Sequence, residues 1–111
     1  MSSMKHYQIG EVVAEEGKKA NNFFILVDGK VGVFKGNKKI AQFEKAGEIV
    51  GEMSLILNRP RTAEIRAITN ASLLEIHGEL DEIIKTYPDI SKKLIKTLAE
   101  RLAKTTGEKL Q

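Results

Sequence analysis

A chain of 111 residues with no cysteine, carrying 18 Lys and Arg against 15 Asp and Glu for a net charge of +3, is sized for one domain over residues 1–111. It can form no disulfide and no cysteine-ligated metal or iron-sulfur centre, and thiol chemistry is closed to it. So mild a positive balance, with 5% aromatic residues, is a weak footprint for nucleic acid, and neither a signal peptide nor the ~20 apolar residues of a membrane helix are visible. The expectation is a cytoplasmic protein with no membrane and no direct nucleic-acid contact.

Taken in order, the chain reads as β-rich from about residue 7 to Ile76 and as helical from about residue 78 to 110. The run Phe23 to Phe34 carries β-branched and aromatic residues on both sides of Asp28-Gly29, a dipeptide that favours a tight hairpin turn. A second turn signal, Lys35-Gly36-Asn37-Lys38, leads into Ile40 to Phe43, and Gly10, Gly17, Gly29, Gly36 and Gly47 punctuate the strands. Short strands at this spacing predict a sandwich or barrel. From Arg61 to Ile68 the residues alternate, with Ala63, Ile65 and Ala67 on one face and Glu64 and Arg66 on the other. Leu74 and Ile76 belong to a last strand.

After His77-Gly78 the period changes. A short helix precedes Pro88, a residue suited to the first turn of the next helix. Ile90, Leu94, Leu98 and Leu102 then recur every four residues along a long amphipathic helix. Its basic residues, Lys92 to Lys109, have no aromatics among them for base stacking and are read as a solvated face.

The chemistry lies between Gly47 and Ala67. Gly51-Glu52 opens a short helical turn, where unpaired amides and the positive dipole end suit an anion. Gly51 permits close approach, and the small Ser54 keeps the path open. Arg61 shares the inward parity of Ala63 and Ile65, so its guanidinium points into the barrel and needs an anion, either Glu52 or a ligand phosphate that its planar fork can grip. Arg59, beside Pro60 in the loop, is read as solvated.

The order Gly51-Glu52-Met53-Ser54-Leu55, followed by Pro60-Arg61-Thr62-Ala63, resembles the phosphate-binding cassette of cyclic nucleotide-binding domains, as in catabolite activators and the regulatory subunits of cyclic nucleotide-dependent kinases. The resemblance extends from Ile9 to about Gln111 and includes the Phe24 to Val31 run and Ala46-Gly47-Glu48. It implies a jelly-roll (double-stranded β-helix) barrel followed by a short and a long helix. It also implies that Glu52 holds the ribose, that Arg61 pairs with the cyclic phosphate, and that amides near Gly51, Met53 and Ser54 line that phosphate. Thr62 and Ala63 complete the cassette. Thr105 and Thr106, near the end of the long helix, match polar residues that cap the base. Val50, Ala46 and Met53 depart from the usual aromatic, proline and Leu or Ile, as swaps that packed positions tolerate.

The resulting expectation is a sensor of cAMP or cGMP with no catalysis, no cofactor and no metal. Phosphate docks first and the C-terminal helices then close over the base, while the seam of the long helix pairs two copies as a homodimer. The rival readings are a ligand-free interaction or dimerisation module of the same fold, and a metal enzyme of cupin type. The latter would need a His cluster, whereas His6 and His77 stand alone in sequence. Thr62 resembles guanine-selective members and the Thr105-Thr106 helix adenine-selective ones, so the base stays open.

Overall fold

The computed structural model describes residues 2–105 and Gly107. The chain forms two units, Met1–Leu80 and Asp81–Gln111. The first contains the strands β1 (Ser2–Tyr7), β2 (Val12–Ala14), β3 (Asn22–Asp28), β4 (Val31–Lys35), β5 (Lys38–Phe43), β6 (Ile49–Val50), β7 (Glu64–Ala67) and β8 (Ala71–His77), with the five-residue helix α1 (Glu52–Ile56) between β6 and β7.

These strands build two four-stranded antiparallel sheets, in the orders β1-β8-β3-β6 and β2-β7-β4-β5. Consecutive strands therefore alternate between sheets over much of the chain, which is the winding of a jelly roll. The two inner faces share one core of Phe24, Leu26, Val31, Val50, Ile65, Ala67, Ala71 and Leu73. Alternation along β7 places Ile65 and Ala67 in that core while Glu64 and Arg66 face away and pair with each other at 2.6 Å. At one end of β3 and β8 the outer face is buried as well, since Phe23 and Ile76, opposite one another, are also fully enclosed, whereas Val27 farther along β3 is exposed.

Three sequence expectations need correction. The turn at Asp28-Gly29 exists, but it closes no hairpin: β3 pairs with β6 and β8, and β4 with β5 and β7. The turn is pinned instead to the β7–β8 connection, where the Lys30 amide donates to Thr69 Oγ1 at 3.0 Å. A β-carbon on Gly29 would lie 2.2 Å from the Asn70 carbonyl oxygen. Only a glycine at φ +85° allows the chain to cross there from one sheet to the other. The hairpin expected at Lys35-Gly36-Asn37-Lys38 does form, as β4–β5 with Lys35 opposite Lys38.

The barrel also begins before residue 7, because Ser2 to Tyr7 pair in register with Ile76 to Ala71. Finally, the alternating strand starts at Glu64 and not at Arg61, and the chain bends at Thr62-Ala63.

The second unit holds nearly all of α2 (Leu80–Thr86) and the whole of α3 (Pro88–Thr105). Pro88 opens α3 as expected, where its missing N–H costs no hydrogen bond. Within this unit Ile83 and Leu94 are buried, whereas Ile95 and Leu102 on α3 are 69% and 60% exposed. No described helix is long and apolar enough to cross a membrane.

Candidate functional site

The backbone of Arg61 is fastened before its side chain does anything. Its amide donates to the Lys18 carbonyl at 2.9 Å, its carbonyl accepts from the Gly17 amide at 2.8 Å, and Lys19 bridges Pro60. From that anchor the side chain runs inward and is only 6% exposed. Nη1 donates to the Gly51 carbonyl at 3.0 Å. Nη2 donates twice, to the Asn22 carbonyl at 3.0 Å and to the Asn22 side-chain Oδ1 at 2.8 Å. The guanidinium carbon stands 5.8 Å from the centre of the Phe24 ring, within cation–π range.

All three of these hydrogen-bond acceptors are neutral. Two carboxylates act on the guanidinium through space: Glu52, 2% exposed, and Glu75, 8% exposed. Burial pulls the Arg61 pKa below its ordinary value, and the negative charges of Glu52 and Glu75 oppose that pull. An arginine still keeps its proton at neutral pH. The site therefore holds a buried positive charge, three of its five N–H groups committed to the protein. Glu75 in turn accepts from Asn22 Nδ2, and at the surface it meets His77 at 3.2 Å and Lys5 at 3.9 Å.

Gly51 caps α1 at φ +80°, ψ +21°. A β-carbon there would lie 2.6 Å from Arg61 Nη1 and 3.0 Å from Ile65 Cδ1. The glycine is thus required by the arginine as well as by the left-handed turn. Glu52, the first helical residue, is buried beside it, and Leu55 anchors the helix in the interior.

Of the residues singled out from sequence, Gly51, Glu52 and Arg61 come together. Ser54 and Ala63 are half-buried nearby in sequence, and Thr62 is exposed at the bend. Met53 is 55% exposed, and Ala46 is exposed too, so the expectation that both fill packed positions is wrong; Val50 is buried as expected. Arg59 is exposed, in keeping with its reading as a solvated side chain. Thr105 donates its hydroxyl to the Arg101 carbonyl at 2.9 Å, and Thr106 lies outside the described residues.

Asn22, Phe24 and Glu75 complete the site, although nothing in the sequence reading marks them as site residues. A lone glutamate in the apolar run Leu73-Leu74-Glu75-Ile76 is the one signal that points to a buried partner. Among the described residues, no group of three or more His, Asp or Glu is placed to hold a metal ion. His6 bonds Ser72 and His77 meets Glu75.

A family model described as "Cyclic nucleotide-binding domain" matches residues 4–87. The chain is 30% identical over 76 residues to cGMP-dependent protein kinase 2 of Rattus norvegicus, covering 68% of this chain and 10% of the kinase. Among solved structures it resembles the catabolite activator protein of Thermus thermophilus, with a TM-score of 0.79 and 26% identity over 96% of this chain and 53% of that one. It also resembles a structure described as cAMP-bound PfPKA-R, with a TM-score of 0.73 and 29% identity over 96% of this chain and 36% of that one. The chain thus spans only part of each of these relatives.

Proposed function

Because the chain belongs to the cyclic nucleotide-binding domain family, we propose that it binds a cyclic mononucleotide, cAMP or cGMP, as a non-catalytic sensor, with residues 1–111 acting as one domain. The observation that carries this reading is the buried guanidinium of Arg61, whose hydrogen bonds run to neutral acceptors and which keeps a full charge for an anionic guest. A phosphate satisfies that charge through charge-assisted hydrogen bonds.

In this proposal Arg61 holds the cyclic phosphate, helped by the amides around Gly51, Met53 and Ser54 and by Thr62-Ala63 at the bend, and Glu52 accepts from the ribose hydroxyl. Thr105 and Thr106 serve the base, and the C-terminal helices reorient over it. The free-energy difference that the ligand can impose on those helices is limited to its difference in affinity for their two arrangements. A homodimer through α3 fits the exposed Ile95 and Leu102 on that helix. Kinase and activator outputs are properties of the relatives named above; what is proposed for these residues is ligand binding.

Thermal unfolding with and without each cyclic nucleotide tests the reading. Ligand at 100 times its Kd adds about 2.7 kcal/mol of stability, and competition between cAMP and cGMP then ranks the bases. No shift with either nucleotide, together with an α3-dependent dimer, would leave the interaction module as the function.

A further inference from the structure

We propose that Glu75 is a positioning residue for the anion grip of Arg61, acting through the side-chain amide of Asn22; this rests on the cyclic nucleotide reading above. The two ends of an Asn carboxamide are nearly the same shape, yet one is an acceptor and the other a donor. Only the oxygen end can face a guanidinium, which has donors and no acceptor. In this site Oδ1 of Asn22 faces Arg61 Nη2 at 2.8 Å, and Nδ2 faces Glu75. A carboxylate accepts only, so Glu75 forces the amide nitrogen toward itself and the oxygen toward Arg61.

The consequence reaches the ligand through geometry. Nη2 is held from two directions, by the Asn22 carbonyl and by Oδ1, and Nη1 from a third by Gly51. Three fixed bonds set the plane of the guanidinium and leave Nε–H and one Nη1–H for a guest. Orientation fixed before binding costs no entropy at binding. The charge balance follows the same logic. A carboxylate in direct contact would compete with phosphate for Arg61, whereas Glu75 lies one amide away and is itself met by His77 and Lys5.

A specific pattern is expected across three proteins. Glu75→Gln keeps size but offers a carboxamide that no longer dictates which end of Asn22 faces Arg61. Its affinity for the cyclic nucleotide should fall about ten-fold, the worth of one well-placed hydrogen bond to a charge. Asn22→Asp combined with Glu75→Gln should restore the parent's fixed guanidinium without restoring affinity, because the new carboxylate touches Arg61 directly and competes with phosphate for it. The carboxylate introduced at position 22 has two equivalent acceptor oxygens and needs no orienting partner, and the carboxamide introduced at position 75 can donate to the outer one.

Calorimetric titration of the full chain with cAMP and cGMP reads these affinities, and the Arg61 Nη nitrogen resonances of the ligand-free proteins read the guanidinium directly. Two separate Nη signals are expected in the parent and the double variant, and exchange-averaged ones in Glu75→Gln. Parent-like affinity and parent-like signals in Glu75→Gln overturn the proposal, as do exchange-averaged Nη signals that Asn22→Asp does not restore to the parent's separate pair. If the parent binds neither nucleotide the sensor reading fails instead, and the ligand-free resonances alone then decide whether Glu75 holds the guanidinium.

Discussion

Arg61 Nη1 donates to the carbonyl oxygen of Gly51 at 3.0 Å, and the same nitrogen occupies the space that a side chain on Gly51 would need. The two residues are therefore one device, the glycine supplying both an acceptor and clearance. Gly51→Ala introduces a β-carbon 2.6 Å from that nitrogen at a φ of +80°. The left-handed conformation costs about 1–2 kcal/mol for a non-glycine residue, and the guanidinium must shift as well. Denaturant titration should show that loss of stability, and cyclic nucleotide affinity should drop by more than about ten-fold in the molecules that remain folded. Unchanged affinity would mean that the position of Arg61 does not matter to the ligand.

Arg61→Lys keeps the charge and discards the fork. A lysine ammonium cannot reach Gly51 and both Asn22 oxygens in one plane while presenting further donors to a phosphate. Affinity should fall by about 1.5–3 kcal/mol, roughly ten- to more than a hundred-fold. Calorimetry on the folded variant is the check, and equal binding by the parent and the Arg61→Lys variant would exclude a planar grip.

Local signals explain which features are legible from sequence. Alternation places Ile65 and Ala67 in the core, the four-residue period and Pro88 give α3, and the glycine, glutamate and arginine of the cassette do converge. Parity assigns Arg61 inward as a strand residue, yet it precedes β7. Its inward course is imposed by backbone bonds to Gly17 and Lys18, which no period in the sequence records. Strand β1, Ser-Ser-Met-Lys-His-Tyr, has no β-branched residue and forms because β8, at the far end of the barrel sequence, offers it a partner. Asn22 and Glu75 are invisible as a pair for the same reason: they lie 53 residues apart and meet only when β3 aligns with β8. The misplaced hairpin at Asp28-Gly29 is the converse case, a local turn signal that is obeyed while long-range pairing assigns its two strands to different sheets.

Gly29→Ala tests that sheet crossing. The new β-carbon would lie 2.2 Å from the Asn70 carbonyl oxygen and 2.8 Å from the Ala71 α-carbon, both backbone atoms that cannot rotate away. Added to the cost of φ +85°, this should destabilise the barrel by about 2 kcal/mol or more. Urea unfolding is the measurement. Gly36→Ala, at φ +61° with open space around the position, should show only the conformational cost of about 1–2 kcal/mol, so the difference between the two isolates the steric part. Equal losses would show that Gly29 is required for its φ alone.

Tyr7 gives the chain a dependence on alkaline pH. Its ring packs against the core cluster, and burial, followed by the negative charges of Glu75 and Glu11, raises its pKa above the ordinary 10.0. The neutral phenol is therefore favoured more strongly in the folded protein than in the unfolded chain. Where the folded state binds the extra proton, stability declines with rising pH. The contribution is fully present below pH 10.0 and is lost as pH climbs through the raised folded value. Tyr7→Phe keeps the ring and removes the proton. Melting temperatures of the two proteins between about pH 8 and pH 11 should run parallel at first and then converge or cross, with the parent falling more steeply above the tyrosine's ordinary value. Parallel curves throughout would show that the Tyr7 hydroxyl titrates alike in both states and that its surroundings exert no net pull on the proton.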